Sequence, residues 1–156
     1  MNTKRIKSDI DTAKLLCSSV GNPTNDEYLF DAASYHTQQA IEKCLKYYLH
    51  DVYGEDDNLR NFRTHSIPNL LTMLSIHDVD FNKNHQDLVK IAIDVSDWEA
   101  RSRYDDCIVS TKNDIENAIA IAEGLYEDIM EIEKTKNIDK NEQIEEDDDL
   151  EEDLFR

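Results

Sequence analysis

Glycine and proline are scarce in this sequence, with 3 glycines and 2 prolines among 156 residues. Because these residues end helices and form turns, their scarcity favours a few long helices over many short strands. The chain also has no apolar run approaching the ~18 residues that a membrane-spanning helix needs. Its basic N-terminus is not followed by the apolar segment of a signal peptide. We therefore expect a cytoplasmic protein with one folded domain and no membrane association.

Cysteine is also rare, and the three cysteines, Cys17, Cys44 and Cys107, lie far apart. An odd number without a CxxC pair argues against a disulfide framework and against a zinc site. The glycine-rich phosphate loop, HExxH and GxSxG motifs are absent too, so metal, acyl-transfer and kinase chemistry have no support. We expect no cofactor and no metal. Cys17 and Cys44 fall on apolar helix faces, where we predict buried thiols.

Acidic residues outnumber basic ones, 35 to 17, which gives a net charge of −18. The last 18 residues, 139–156, carry 10 acidic and 2 basic side chains, or −8, so the remaining chain is acidic as well, at −10. Proteins that coat nucleic acids need a basic face to contact phosphates. The charge excludes that class and leaves room only for a local basic patch.

Apolar residues recur at helical spacing in five segments, which predict helices over about 4–20, 26–53, 67–77, 86–100 and 111–136. Ser66 and either Ser110 or Thr111 are the predicted caps of the third and fifth helices. Residues 78–85 and 101–106 are predicted to be loops or turns. The fold class is therefore all-α, an antiparallel four- to five-helix up-and-down bundle. We expect nine core residues: Leu29, Ala40, Cys44, Leu88, Val95, Trp98, Ile119, Ala122 and Leu125.

From about Asn137 the composition changes to Asp and Glu with scattered Ile and Leu. Such a stretch buries too little apolar surface to offset its ordering entropy. We expect residues 1–136 to form the bundle and 137–156 to form a disordered acidic tail. The alternative is that the tail binds a basic partner or a basic groove of its own dimer, since Leu150, Leu154 and Phe155 lie among the acids.

One stretch of the second helix is distinctive, AASYHTQQAIEKCLK over residues 32–46. It resembles the signature of the HEPN domain family, and two further pieces agree in order: THSIPNLL over 64–71 and ARSRY over 100–104. The resemblance covers about residues 5–135. It implies a four- or five-helix bundle that commonly dimerises. Members often work beside a nucleotidyltransferase in toxin–antitoxin or defence modules, and several branches are metal-independent ribonucleases.

The nuclease branches share an arginine followed, after four to six residues, by a histidine. Arg60 and His65 have this spacing, so the resemblance implies that they are the candidate catalytic pair. They lie in a polar loop ahead of the third helix. His65 at a helix start is expected either to accept a proton or simply to cap the helix.

The polar side chains of the resembling segments are the candidate ligand-binding residues. Lysine and arginine bind phosphate, and tyrosine stacks on bases. The alternatives are a structural hydrogen-bond network of Gln39, Glu42 and Lys43, a core histidine at position 36, and pairing of the arginines at positions 101 and 103 with aspartates. We predict that one groove collects His36, Gln39, Lys43, His65, Arg101, Arg103 and Tyr104.

Three functions fit these observations. The first is a dimeric nucleotide-binding or interaction module that works with a partner protein, for which the resemblance suggests a nucleotidyltransferase. The second is a metal-independent ribonuclease that uses Arg60 and His65. The third is a structural or regulatory subunit with an acidic tail. The sequence leaves open whether the protein is an enzyme. We expect a homodimer, because the apolar stripes are wide and two-fold symmetry is the commonest closed arrangement.

Overall fold

The computed structural model describes the backbone of residues 2–19, 27–56, 63–104 and 110–154 and the side chains of 2–19, 28–56, 63–98 and 110–138. No strand occurs in these ranges, which confirms the predicted all-α bundle. The helices are α1 (Thr3–Ser19), α2 (Glu27–Tyr47), α3 (Ile67–His77), α4 (Phe81–Asn84), α5 (Gln86–Tyr104) and α6 (Lys112–Leu154).

The chain divides into two compact units, Met1–Tyr126 and Glu127–Arg156. The first unit holds the bundle, and the described part of the second is the continuation of α6. No described helix combines the length and the apolar character that crossing a membrane requires.

Helix α2 is the central helix of the bundle and packs against α1, α3 and α5. Its middle is buried on more than one side, because several neighbouring helices cover it. Among the buried side chains, each worth about 1.5–3 kcal/mol when large and apolar, are Ile41, Leu45 and Leu49. Both described cysteines are buried as predicted, and Cys107 lies outside the described residues.

The predicted core is confirmed at eight of its nine positions, from Ala40 to Leu125. The exception is Leu29, which is only half-buried. It lies in the first turn of α2, and the end of a helix has fewer neighbours than its middle. The helical period identifies the apolar face correctly, but it does not tell how far along the helix that face stays covered.

The end of α2 is less regular than its apolar pattern suggests. After Tyr47 the chain continues as a π-helical turn, Tyr48–Val52, in which the amide of Tyr53 donates to the carbonyl of Tyr48 at 3.0 Å. Gly54 then adopts a positive φ of 73°, a conformation that glycine reaches without strain. The amide of Gly54 donates a hydrogen bond to the carbonyl of His50, and the helix ends there.

Two predicted loops are partly helical. Helix α4 lies within residues 78–85, where the buried ring of Phe81 packs against Tyr48 with centroids 5.2 Å apart. One helical turn is too short to show a period, so the prediction of a loop is wrong there. Helix α5 likewise continues through Arg101 and Arg103 to Tyr104. The predicted turn at 101–104 is wrong because neither glycine nor proline interrupts a stretch in which arginine favours helix.

Both predicted helix caps are confirmed. Ser66 Oγ accepts from the amide of Asn69 at 3.4 Å, and Pro68 lies in the first turn of α3. Before α6, Thr111 and Asp114 form a reciprocal capping box. The amide of Thr111 donates to Asp114 Oδ2 at 2.8 Å, and the amide of Asp114 donates to Thr111 Oγ1 at 3.2 Å. The Thr111 hydroxyl also donates to Asp114 Oδ2 at 2.6 Å, and this bond, followed by the one from the Thr111 amide, lowers the pKa of Asp114.

Helix α6 continues beyond its predicted end near Lys136 and is helical through Leu154. The acidic segment contains neither glycine nor proline and is rich in glutamate, which favours helix. Within the second unit Lys134 pairs with Glu131, one turn earlier, at 2.6 Å. That residues 137–156 form a separate, disordered tail remains a prediction.

Candidate site around His65 and Glu42

Helix α2 carries two polar clusters on different faces. We call them the Asp9 cluster (Asp9, His36, Lys43) and the Glu42 cluster (Gln38, Gln39, Glu42, Lys46, His65). Neighbouring residues of an α-helix point about 100° apart around its axis. Consecutive residues such as Glu42 and Lys43 therefore leave α2 in clearly different directions, one toward His65 and the other toward α1.

The Glu42 cluster is centred on a buried carboxylate. Gln38, Glu42 and Lys46 follow one another at intervals of four residues and so share one face of α2. Gln38 Nε2 donates to Glu42 Oε2 at 2.9 Å, and Lys46 Nζ donates to Glu42 Oε1 at 2.7 Å. Because each carboxylate oxygen accepts an N–H donor, the burial of Glu42 is compensated by hydrogen bonds and by one opposite charge.

His65 completes this cluster from the segment that precedes α3. Its Nδ1 lies 3.1 Å from Glu42 Oε1 and 3.2 Å from Oε2. Its backbone carbonyl accepts a hydrogen bond from Gln38 Nε2 at 3.4 Å. The His65 side chain is 60% exposed, whereas that of Glu42 is only 5% exposed. The cluster thus holds a solvent-facing imidazole on a buried carboxylate.

Gln39 belongs to this cluster through its neighbour. Its Nε2 donates to Gln38 Oε1 at 2.8 Å, which leaves the Gln38 amide nitrogen to face Glu42. Gln39 is half-buried and Gln38 is fully buried. Hydrogen bonds at the side-chain oxygen and at the side-chain nitrogen of Gln38 therefore determine the orientation of its amide group.

The Asp9 cluster joins α1 to α2. His36 Nδ1 lies 3.0 Å from Asp9 Oδ1, and Lys43 Nζ donates to Asp9 Oδ2. All three side chains are less than one-third exposed. The structure therefore does not bring His36 and Lys43 together with His65, because a carboxylate of α1 binds both of them on another face of α2.

One hydrogen bond joins the start of α3 to the helix that carries two of the predicted arginines. The amide of Ile67 donates to Ser96 Oγ of α5 at 3.0 Å. Arg101 and Arg103 follow Ser96 by five and seven residues, or about 8 and 10 Å along the helix axis. Their side chains and that of Tyr104 are outside the described set, and Arg60 lies outside the described residues altogether.

A further hydrogen bond, 3.0 Å between the hydroxyls of Ser34 and Ser110, links the chain after α5 to the first half of α2. We call this region the His65 end of the bundle: residues 34–42 of α2, 63–67, and 96–104 of α5. Four of the six arginines of the chain fall in 60–63 and 101–103, and Arg63 is exposed. An otherwise acidic sequence thus carries most of its arginines in two short segments, one just before His65 and one after Ser96.

A cavity of about 140 Å³ lies between α5 and the first turns of α6. Its apolar wall is formed by Ile91, Val95 and Trp98, and its polar lining includes the carboxylates of Asp94 and Asp114. Two carboxylates repel an anionic ligand. This cavity is therefore a poor site for phosphate, which the His65 end suits better.

Other chemistries find little support among the described residues. Burial raises the pKa of the Cys44 thiol and also that of Cys17, which opposes thiolate formation. In the described part of the chain no three His, Cys, Asp or Glu side chains are grouped to hold a metal ion. Among the described side chains of the His65 end, the imidazole of His65 and the carboxylate of Glu42 form a pair that can carry out acid–base work.

Sequence reasoning missed the residues at the centre of the site. Gln38, Lys46 and Asp9 are not among the predicted site residues, and neither is Glu42. The signal for the first two is their spacing of four residues on either side of Glu42. Asp9 gives no such signal, because it lies on another helix.

The comparisons with known proteins agree with this architecture. The sequence model of the HEPN domain matches residues 7–134, most of the chain. Searches of curated proteins and of solved structures gave no significant match. The matched range includes every residue of both polar clusters and all of α2, α3 and α5. The chain therefore belongs to the HEPN domain family.

Proposed function

We propose that this HEPN protein binds a nucleotide or RNA at the His65 end of its bundle, as a cytoplasmic homodimer that works with a partner protein. One observation carries the proposal: the exposed imidazole of His65 is held by the buried carboxylate of Glu42, in a segment that also carries the exposed Arg63. A fixed imidazole donates or accepts at a defined position, and arginine binds phosphate through two N–H groups at once.

The charge distribution supports a site of this kind. In a chain of net charge −18, arginines gathered in two segments give a local positive potential that attracts phosphate. The same acidity elsewhere opposes non-specific coating of nucleic acid. We therefore expect a ligand that occupies one site and not a long stretch of RNA.

The test is equilibrium binding of a fluorescein-labelled single-stranded oligoribonucleotide, followed by anisotropy at several salt concentrations. Arg63→Ala is expected to weaken binding and to reduce the salt slope by about 0.7, the contribution of one contact to a single strand. Lys90→Ala is the matched control, since it removes one exposed positive charge of α5 outside the His65 end. Equal effects of the two substitutions, or no binding by the wild type, would refute the proposal.

The alternative function is a metal-independent ribonuclease, favoured by the exposed, carboxylate-held His65 and by its spacing from Arg60. His65 takes the proton of a ribose 2′-hydroxyl, whose oxygen then attacks the adjacent phosphorus. The bond from phosphorus to the 5′-oxygen breaks, and that oxygen takes up a proton. The products are a 2′,3′-cyclic phosphate and a 5′-hydroxyl, with arginine stabilising the charge that develops on phosphorus.

This alternative is tested by incubating single-stranded RNA with the protein in the presence of a chelator. A ribonuclease gives cyclic-phosphate ends, and His65→Ala abolishes cleavage while retaining some binding. His85→Ala serves as the control histidine. Intact RNA, or undiminished cleavage by His65→Ala, eliminates the ribonuclease and leaves the binding module.

A structural or regulatory subunit is the third possibility, and the Asp9 cluster favours it. His36 and Lys43, two predicted ligand contacts, bind Asp9 and connect helices. On this account the acidic tail covers a basic partner. Wild-type protein that binds neither RNA nor nucleotides, yet forms a stable complex with the product of a neighbouring gene, would establish this function instead.

The assembly itself is open to direct measurement. Multi-angle light scattering is expected to give about 36 kDa, twice the 18.1 kDa of one chain. A nucleotidyltransferase encoded next to this gene is the partner that we propose to co-express. Co-purification of the two proteins would support a toxin–antitoxin or defence module. In the light-scattering experiment, the mass of a single chain at tens of micromolar would contradict the homodimer.

A further inference from the structure

We infer that the cavity between α5 and α6 is a docking site for an arginine side chain that a partner protein presents. The inference is independent of ligand binding at the His65 end. It rests only on the part of the proposed function that gives this chain a protein partner. Its basis is the size of the cavity, the chemistry of its lining and the bonding of its two carboxylates.

The volume of the cavity limits what it can hold. At about 140 Å³ it is well below the roughly 300–1,000 Å³ that is usual for sites of drug-sized ligands. For comparison, an apolar cavity of about 150 Å³ holds one benzene molecule. The cavity is thus too small for a nucleotide, and its size suits the end of a single side chain.

The lining calls for a ligand that is apolar along its length and positive at its end. Val95 and Trp98 are buried and Ile91 is half-buried, whereas Asp94 and Asp114 are exposed. Arginine matches this division, because its methylene stem packs on apolar surface while its charged head stays near water. Its planar guanidinium also binds carboxylate oxygens through two parallel N–H groups.

Asp94 is available to such a ligand. Lys90 lies one turn earlier on α5, but its ammonium donates to Asp87 Oδ1 at 2.8 Å instead. Within the described part of the chain, Asp94 makes neither an ion pair nor a side-chain hydrogen bond. An exposed carboxylate without a partner, next to an apolar wall, is an acceptor for a cation from another molecule.

Asp114 is held in place by the capping box at the start of α6. Its Oδ2 accepts from the amide of Thr111 at 2.8 Å and from the Thr111 hydroxyl at 2.6 Å, and neither bond uses Oδ1. A carboxylate oriented in advance loses less entropy when a ligand binds. The positive end of the α6 dipole is equivalent to roughly half an elementary charge, and the two carboxylates outweigh it.

The small volume also indicates the source of the arginine. A free guanidinium compound gains only the contacts of a few atoms. A side chain that belongs to a folded partner gains the contacts of the surrounding surface as well. The net charge of −18 attracts basic proteins from a distance. The occupant is therefore an arginine of a protein partner and not a free cation.

Trp98 is the single tryptophan of the chain and lines the cavity, so its fluorescence reports binding directly. The probe is a capped Gly-Ser-Arg-Ser-Gly peptide, titrated into the wild-type chain in the millimolar range at physiological salt. The control peptide carries citrulline, which has the shape of arginine without its charge. We expect the arginine peptide to bind roughly 5- to 30-fold more tightly, the value of one or two exposed ion pairs. Equal binding of the two peptides, or no saturable change in fluorescence, overturns the inference.

A pair of variants separates the cavity from the overall charge. Asp94→Asn is expected to weaken binding of the arginine peptide about 5-fold and to leave the Tm unchanged. The control is Asp11→Asn, which removes the same charge from an exposed ion pair with Lys7 on α1 and should not affect binding. An equal loss in both variants would show that net charge alone attracts the peptide, and would contradict a specific site.

Propylguanidinium, which has the stem and head of arginine without a backbone, tests the source of the ligand. We expect it to bind no more tightly than the peptide. Tighter binding would show that the backbone obstructs entry, and would assign the cavity to free cations instead of a protein partner.

The inference and the proposed ligand fail separately. Peptide binding without RNA binding refutes the nucleotide or RNA ligand of the His65 end and leaves the docking cavity intact. RNA binding without peptide binding overturns the docking cavity and leaves the His65 end intact.

Discussion

His65 Nδ1 lies 3.1 Å from Oε1 of Glu42, a residue of α2 that precedes it by 23 positions. The contact joins an exposed side chain ahead of α3 to a buried one in the central helix. Because Glu42 also binds Gln38 and Lys46, the stability of the bundle and the properties of His65 depend on the same carboxylate.

Glu42→Ala is expected to destabilise the fold by about 1–3 kcal/mol, the cost of leaving buried donors without an acceptor. Urea unfolding followed by circular dichroism measures the change. The control is Glu116→Ala, since Glu116 is exposed and its distance to Lys112, 3.8 Å, is long for an ion pair. That variant should stay within about 0.5 kcal/mol of the wild type. Similar losses in both variants would contradict the central place of Glu42.

Lys43→Ala is expected to lower stability, because Lys43 and Asp9 connect α1 to α2. In a double-mutant cycle with Asp9→Ala, the coupling free energy should be roughly 0.5–3 kcal/mol, as for contacting residues. The matched pair Lys7 and Asp11 is about half-exposed on both sides. Its coupling should stay below about 0.5 kcal/mol. A coupling free energy near zero for Asp9 and Lys43 would contradict this structural role and would leave Lys43 available to contact a ligand.

Trp98→Ala is expected to cost about 3–5 kcal/mol in the same unfolding assay. The side chain is buried and lines the cavity between α5 and α6, which the substitution would enlarge. Tyr28→Ala is the aromatic control, since Tyr28 is almost fully exposed. A loss below about 1 kcal/mol for Trp98→Ala would show that its surroundings collapse or that it is not part of the core.

Asp114 is expected to contribute to the pH dependence of stability. Hydrogen bonds from Thr111 lower its pKa in the folded state below the ordinary 3.8. The unfolded chain therefore takes up a proton first as the pH falls, so the contribution is complete above 3.8 and is lost as the pH drops through the lowered folded value. NMR titration of the carboxyl should show the lowered pKa in the wild type. Thr111→Ala removes the hydroxyl donor but keeps the backbone donor, so the pKa of Asp114 should rise part of the way toward 3.8. An unchanged pKa in that variant would exclude the Thr111 hydroxyl as the main cause.

The fold was predictable from the sequence because the spacing of apolar residues and the helix-capping residues depend only on neighbouring positions in the chain. Cys44, Val95 and Trp98 are buried where the helical period puts them, and Ser66 caps α3. The site was less predictable. An amphipathic pattern assigns a glutamate to the surface, whereas Glu42 is buried and is bonded there to His65, Gln38 and Lys46.

The division of the predicted groove has a similar cause. His36, Gln39 and Lys43 look like one row along α2, but which side chains share a ligand depends on the helix that faces them. Asp9 of α1 binds His36 and Lys43, whereas Gln39 bonds to Gln38. The two contacts with Asp9 join residues that are separated by 27 and by 34 positions in the chain. Contacts over such separations produce no local sequence pattern.

The central claim is that a phosphate-bearing ligand binds at the His65 end, and an NMR titration of the 15N-labelled wild type with a single-stranded oligoribonucleotide tests it most directly. We predict saturable shifts of the backbone amides of residues 63–67 and 38–42. Residues 76–83, at the other end of α3, should stay unchanged. Shifts confined to 76–83 or to the cavity residues Asp94 and Asp114, or no shift at all, would contradict the account.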